Sequence, residues 1–275
     1  MAETDSERYT VPGLERGLRI LGEFSRRESV LTPPELARRL GVPRSTVFRL
    51  LVTLENLGFV ERTPDGRAYR LGVAVLRLGF EYLASLDMVE LGRPIVDALR
   101  DDTGYAASLV VRDGRDIVYL YRAASRSPFA TAVTVGTRLP AHATVLGHVL
   151  LSDLSLAALR ALYPEARLES TGPHTPATVT ALFDLVQQVR QRGWVMAEGF
   201  FERHISTIAA PVRDRSGHVV AAVGLTVPGG EIPAAAREAL PGRVREAARA
   251  LSALLDHHGD AGDVPPLALA RKSAA

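Results

Sequence analysis

Between Leu36 and Leu54 the chain carries four arginines and no acidic residue, on a stretch whose apolar residues return at three- and four-residue steps. Leu36, Leu40, Val47, Leu50, Leu51, Leu54 and Leu57 form a one-sided stripe, as amphipathic helices with one buried face require. The spacing predicts a helix over 33–40, a turn at Gly41-Val42-Pro43, and a longer helix over 44–57 stopped by Gly58. Thr32 stands as an N-cap ahead of Pro33, and Glu35 three residues on completes a capping-box pattern. Two short strands, 59–62 and 69–71, then flank the tip Thr63-Pro64-Asp65-Gly66-Arg67. Two helices crossing at a tight turn, followed by a hairpin, is the order of a winged helix-turn-helix.

The charges on this segment point to a partner. Arg38 and Arg39 lie on the first helix, and Arg44, Ser45, Thr46 and Arg49 lie at the start and along one side of the second. That end of the second helix is the one that enters a major groove. Arginine grips guanine edges or phosphates there, and the hydroxyls serve either role. Arg62, Arg67 and Arg70 add positive charge to the hairpin, suited to backbone or minor-groove contact. A solvated basic surface on an ordinary three-helix domain is the plainer alternative. The arginines alone leave the two even; the order of turn, helix and hairpin favours duplex DNA.

Global charge is a poor guide by comparison. The formal charge is only +2 over 275 residues, and of the 33 basic residues one, Lys272, is lysine. Residues 1–80 hold 13 arginines against 10 acids, a local excess of three. The length suits two cores rather than one, and 47% hydrophobic with 23% charged residues is a globular composition. With no cysteine there are no disulfides, iron–sulfur clusters, thiolate zinc sites or cysteine nucleophiles. The amino-terminal residues are polar and acidic, without the apolar run of a secretory signal, and no apolar run reaches membrane-spanning length. A cytoplasmic protein without a membrane partner is expected.

In chain order, the expected organisation is a flexible arm (1–10), a winged helix domain (11–72), a linker helix (73–88), a second domain (89–258) and a disordered tail (259–275). A helix over 13–27, with Leu14, Leu18, Leu21 and Phe24 on one face, would pack beneath the other two of the first domain. The linker is apolar on more than one side, with Leu76, Phe80 and Leu83 in one set and Val75, Leu78, Tyr82 and Leu86 in another. Such a helix wants a partner on each flank. The same helix of a second subunit supplies one, because helix-turn-helix proteins read paired half-sites as twofold dimers; burial within its own chain is the alternative. Beyond it come a helix over 89–101 and strands over 105–112 and 115–121 joined by Asp113-Gly114. A weaker strand is expected over 129–135. Helices follow over 141–152, 155–161 and 178–192, the last with Thr175 available as a cap. A strand over 194–197, a hairpin of 206–213 with 218–227, and a helix over 232–255 broken near Pro241 complete the domain. The class is α+β, an antiparallel sheet with several helices.

Four segments then resemble the IclR-type bacterial transcription regulators, in particular those of aromatic catabolism (protocatechuate, 4-hydroxybenzoate and β-ketoadipate pathway genes). They are residues 13–21, residues 36–51, residues 138–151 beginning Arg138-Leu139-Pro140-Ala141-His142, and residues 208–222 beginning Ile208-Ala209-Ala210-Pro211. The resemblance implies a winged helix domain, a linker helix that supports dimerisation, and a GAF-like effector-binding domain whose cavity takes a small organic acid. It further implies homodimers paired into tetramers on a palindromic or pseudo-palindromic operator, and repression, activation or both, with RNA polymerase as a further contact. His148 and the stretch His204-Ile205-Ser206-Thr207 depart from the commoner pattern; the second lies beside the expected cavity, which leaves room for an effector different from that of the relatives it most resembles.

Carried over by segment, the effector-binding candidates are Pro140, Ala141, His142, Ala197, His204, Ser206, Thr207, Gly224 and Thr226. Backbone N–H groups at the helix start after Pro140 would take a carboxylate, with the hydroxyls of Ser206, Thr207 and Thr226 orienting it. No catalytic residue, metal or cofactor is expected. Glu202-Arg203-His204 lacks ligand spacing, no serine sits in a nucleophile elbow, and no phosphate-binding loop is present. A structural or interaction protein without DNA binding and, behind it, an enzyme remain the alternatives.

Overall fold

A computed structural model describes residues 10–25, 28–84, 87–125, 133–172 and 174–257. The chain divides into two compact units, residues 1–85 and 86–275. Nearly all of the expected amino-terminal arm, the carboxy-terminal tail, and most of the expected strand at 129–135 lie outside the described residues; Val133, Thr134 and Val135 are not strand.

The first unit comprises α1 (Pro12–Gly22), α2 (Pro33–Leu40), α3 (Arg44–Asn56), β1 (Val60–Arg62), β2 (Tyr69–Leu71) and α4 (Ala74–Ala84). The capping box forms as the sequence predicts. The Thr32 side chain accepts from the Glu35 amide, while the Glu35 carboxylate accepts from the Thr32 amide at 2.9 Å. Gly41 adopts φ 66°, the left-handed conformation needed to leave α2 and open the turn into α3. β1 and β2 pair antiparallel, and Leu31 adds a bridge to Tyr69. The core is built from Ile20, Phe24, Leu36, Val47, Leu51, Leu54 and Val60, with the buried Tyr69 closing it. Two expectations change. α1 ends at Gly22, and its buried side is Gly17 and Ile20, while Leu14 is 64% exposed and Leu18 is exposed as well. Leu57 caps α3 from an exposed position instead of joining the stripe.

The second unit comprises α5 (Asp87–Thr103), β3 (Ala106–Asp113), β4 (Asp116–Ala123), β5 (Arg138–Pro140), α6 (Val145–Leu151), α7 (Leu156–Leu162), α8 (Val179–Arg192), β6 (Val195–Glu198), β7 (Ile205–Arg213), β8 (Val219–Pro228) and α9 (Ala234–His257). The six strands form one antiparallel sheet in the order β5-β4-β3-β8-β7-β6. Period-two alternation sends Leu109, Ile208, Ala210, Val223 and Leu225 to one face, beneath α5 and α9. Val110, Ala209 and Ala222 go to the other, beneath α6 and α8. Each face therefore has its own core.

Local departures have local causes. The segment expected as one helix over 141–152 is a 3-10 turn (Ala141–Ala143) followed by α6, because Thr144 is extended and caps the new helix at the Gly147 amide. Thr178, not Thr175, caps α8 at the Ala181 amide, while the Thr175 hydroxyl accepts from the Gly172 amide in the preceding loop. α9 runs unbroken through Pro241. The strand β5 has no alternation of its own and exists through pairing with β4.

Candidate functional site

In the first unit α3 buries Val47, Leu51 and Leu54 and turns Arg44, Ser45, Phe48 and Arg49 outward, with Thr46 half-buried. The nine residues expected to meet DNA do not form one homogeneous set. Arg39 is held by Glu28 at 2.7 Å and Glu23 at 3.5 Å, and its guanidinium pKa is raised chiefly by the Glu28 hydrogen bond. Arg62 is paired with Glu55 at 3.1 Å and lies over the Tyr69 ring, and Arg70 is paired with Glu61 at 2.9 Å. Arg38, Arg44, Arg49 and Arg67 make no side-chain ion pair or hydrogen bond with any described residue. Their charge is available to a polyanion. Phe48, not one of those nine, is 52% exposed beside Ser45 and Arg49, an apolar surface of the type that meets a thymine methyl.

In the second unit a narrow pocket lies on the α6 face of the sheet, with about 60 Å³ open to a water-sized sphere and a wider mouth to solvent. Tyr119, Arg122, Thr144, Leu146, Thr207 and Thr226 contribute to its wall. Thr207 and Thr226 are cross-strand partners on β7 and β8, which is why both hydroxyls face the same space. Burial pushes the Tyr119 phenol up to about 12, so it is a neutral donor at physiological pH. Burial lowers the pKa of the Arg122 guanidinium, which nonetheless stays charged.

Of the nine residues expected around an effector, Thr207 and Thr226 line this pocket and the others do other things. Ser206 points to the opposite face, fully buried, and donates to the Gly229 carbonyl at 3.2 Å; alternation along β7 forces neighbours 206 and 207 apart. His142 turns away from the pocket. Its Nε2 donates to the Glu169 carbonyl at 2.9 Å and its ring meets Tyr163 edge-on. Pro140 accepts the Thr144 hydroxyl, and Ala141 packs without exposure beneath α6. Gly224 lies directly under Leu146, where a Cβ would come within 2.7 Å of that side chain. His204 is exposed at a turn, and Ala197 lines a separate cleft with His148 and Phe200. The helix-start amides expected to hold a carboxylate are partly used: Ala141 N–H donates to Arg115 and Gly147 N–H to Thr144.

A winged helix module whose exposed helix carries arginines without a side-chain partner among the described residues, followed by an antiparallel-sheet domain with a pocket on one face, is the arrangement of a ligand-responsive DNA-binding regulator. Models of the IclR helix-turn-helix domain and of the bacterial transcriptional regulator IclR C-terminal domain match residues 13–64 and 80–253. The chain belongs to the IclR family of bacterial transcriptional regulators. It is 34% identical to the Pca regulon regulatory protein of Pseudomonas putida over 220 residues, covering 80% of this chain and 75% of that protein. It is 31% identical to the regulator BhcR of Paracoccus denitrificans, covering 92% and 90%. Among solved structures, an IclR homolog from Microbacterium hydrocarbonoxydans complexed with 4-hydroxybenzoate superposes with a TM-score of 0.75 at 26% identity, covering 88% of this chain and 98% of that one.

Proposed function

We propose that this regulator controls a catabolic operon in response to a small aromatic acid. The observation that carries the DNA half is the group of unpaired arginines, Arg38, Arg44, Arg49 and Arg67, on the module whose exposed helix is α3. The effector half rests on the Thr207–Thr226 pocket and on the 4-hydroxybenzoate held by the Microbacterium hydrocarbonoxydans homolog. The protein acts in the cytoplasm as a binding protein and not an enzyme.

The operating form is a homodimer on a palindromic or pseudo-palindromic operator, with dimers pairing into tetramers. α4 supports this reading: Val73, Leu76 and Leu78 are exposed apolar residues at or beside a helix that follows the hairpin directly. Two recognition helices fit two half-sites at one spacing only. An effector that prefers one pairing of the second domains shifts that spacing, and with it operator affinity or the approach of RNA polymerase. A gel-shift titration on the gene's own upstream intergenic DNA, across a salt series, tests the core of the proposal. Tight binding that weakens steeply with salt is expected. Binding no tighter than to random duplex would overturn it.

A further inference from the structure

α8 and β6 part from one another at Gly193, whose φ of 72° ends the helix and sends the chain back as the edge strand of the sheet. A cleft opens between them, with about 130 Å³ open to a water-sized sphere. A single water fills only about 10–15 Å³, so the cleft admits a small ring compound. Leu185, Gln188 and Arg192 reach it from α8 at helical spacing, and Trp194, Met196 and Phe200 from along β6 and its two ends. It is separate from the Thr207–Thr226 pocket: of the residues lining the two, Val145 alone is shared.

The inner end carries one polar side chain. His148 is 2% exposed, and its Nε2 donates to the His142 carbonyl at 2.9 Å. That bond places the proton on Nε2, and burial keeps the ring neutral, so Nδ1 retains its lone pair. Nδ1 accepts from no described residue, although the ring lines the cleft and meets Phe200 edge-on. A buried acceptor costs stability until a donor reaches it. The mouth differs in kind. Gln188 and Arg192 are exposed there and make no side-chain hydrogen bond or ion pair with a described residue, and none of the residues lining the cleft is acidic.

The donor that suits Nδ1 is therefore a neutral hydroxyl, because an ammonium would find no counter-ion in the cleft. Trp194 and Phe200 wall the space between as flat rings do for a ring ligand. Arg192 lies beside the start of β6, while His148 meets Phe200 beyond its end. Four residues of strand span roughly 13 Å, the reach of one ring substituted at opposite ends together with its two hydrogen bonds. Independently of where the acid effector sits, we propose that this cleft is a second small-molecule site, specific for a flat phenol whose hydroxyl donates to His148 Nδ1 and whose far end, where it carries a carboxylate, meets Arg192.

Trp194 is the only tryptophan of the chain, so its emission reports this cleft. Titrations of the full-length protein with phenol, 4-hydroxybenzoate, anisole and benzoate, each followed by that emission, test the proposal. Phenol and 4-hydroxybenzoate give saturable changes, the acid binding about three-fold more tightly through Arg192. Anisole and benzoate, which lack the hydroxyl donor, bind at least about ten-fold more weakly than phenol and 4-hydroxybenzoate respectively. In variants that still bind operator, His148→Met erases the difference between phenol and anisole, and Arg192→Ala that between phenol and 4-hydroxybenzoate. Equal affinity of phenol and anisole for the unmodified chain overturns the proposal, as does the absence of a saturable change with either phenol, whichever variants fold. An emission change kept by a folded His148→Met protein and lost in Thr207→Leu, which fills the other pocket, also overturns it and leaves the acid-effector reading standing. Failure of that reading shows elsewhere, as an operator affinity that no acid alters, and leaves the phenol titrations unchanged.

Discussion

Arg39 and Arg44 stand five residues apart on neighbouring helices, with different surroundings. Arg39 is bound to Glu28 and Glu23 and helps hold the first unit together, whereas Arg44 and Arg49 project without a side-chain partner among the described residues. Replacing Arg44 or Arg49 by alanine is therefore expected to weaken operator binding by about 1–3 kcal/mol each. Arg70→Ala, which releases Glu61, changes it by much less; fluorescence anisotropy on one operator duplex compares them. His148 shows how burial decides chemistry. Desolvation lowers its pKa from 6.5 to about 4, partly offset by the hydrogen bond from Nε2 to the His142 carbonyl. The folded state thus holds this ring neutral where the unfolded chain would protonate it. Its contribution is full above pH 6.5 and is lost as pH falls toward 4, at about 1.4 kcal/mol per pH unit. Urea titrations at pH 7 and pH 5 should show that decline, and His148→Met should make it shallower. The identity of these residues was plain from the sequence. Their partners were not, because Glu28, Glu169 and His142 reach them through the fold.

At the scale of elements, the helix-turn-helix was legible because its information is local. Capping box, left-handed glycine and apolar period all lie within 26 residues, 32–57. The second unit was less so. Its strands were found where alternation and Asp113-Gly114 marked them, but β5 exists only by pairing with β4, and the Leu120 bulge only by register against β3. The seat of α6 is another contact of this type. A side chain at Gly147 would fall inside the Ala141 backbone. Gly147→Ala is expected to destabilise the chain by about 1–3 kcal/mol, since that backbone must move. A lowered urea midpoint with an unchanged slope would check it.

The whole molecule raises the question of assembly. Val73, Leu76 and Leu78 are exposed in a single chain, Leu78 at 56%. The proposed dimer would cover them, as exposed apolar patches of this type mark interaction sites. Leu78→Glu is expected to shift the protein toward monomer in sedimentation velocity and to weaken operator binding, since one half-site alone forfeits the second recognition helix. A dimer unaffected by this change would place the interface elsewhere.

By itself, the sequence determined most of the helices and the two hairpins of the sheet, the helix-turn-helix with its basic helix, the α+β class and the family. All of these follow from periodicity, turn chemistry and short ordered motifs that neighbours along the chain complete. Which arginines are tied up in ion pairs, which face of β7 meets the pocket, and the bulge at Leu120 that puts Tyr119 and Arg122 on one side of the sheet were decided by the tertiary structure. Those outcomes depend on cross-strand register and on residues distant in sequence, and a one-residue bulge is enough to reverse them.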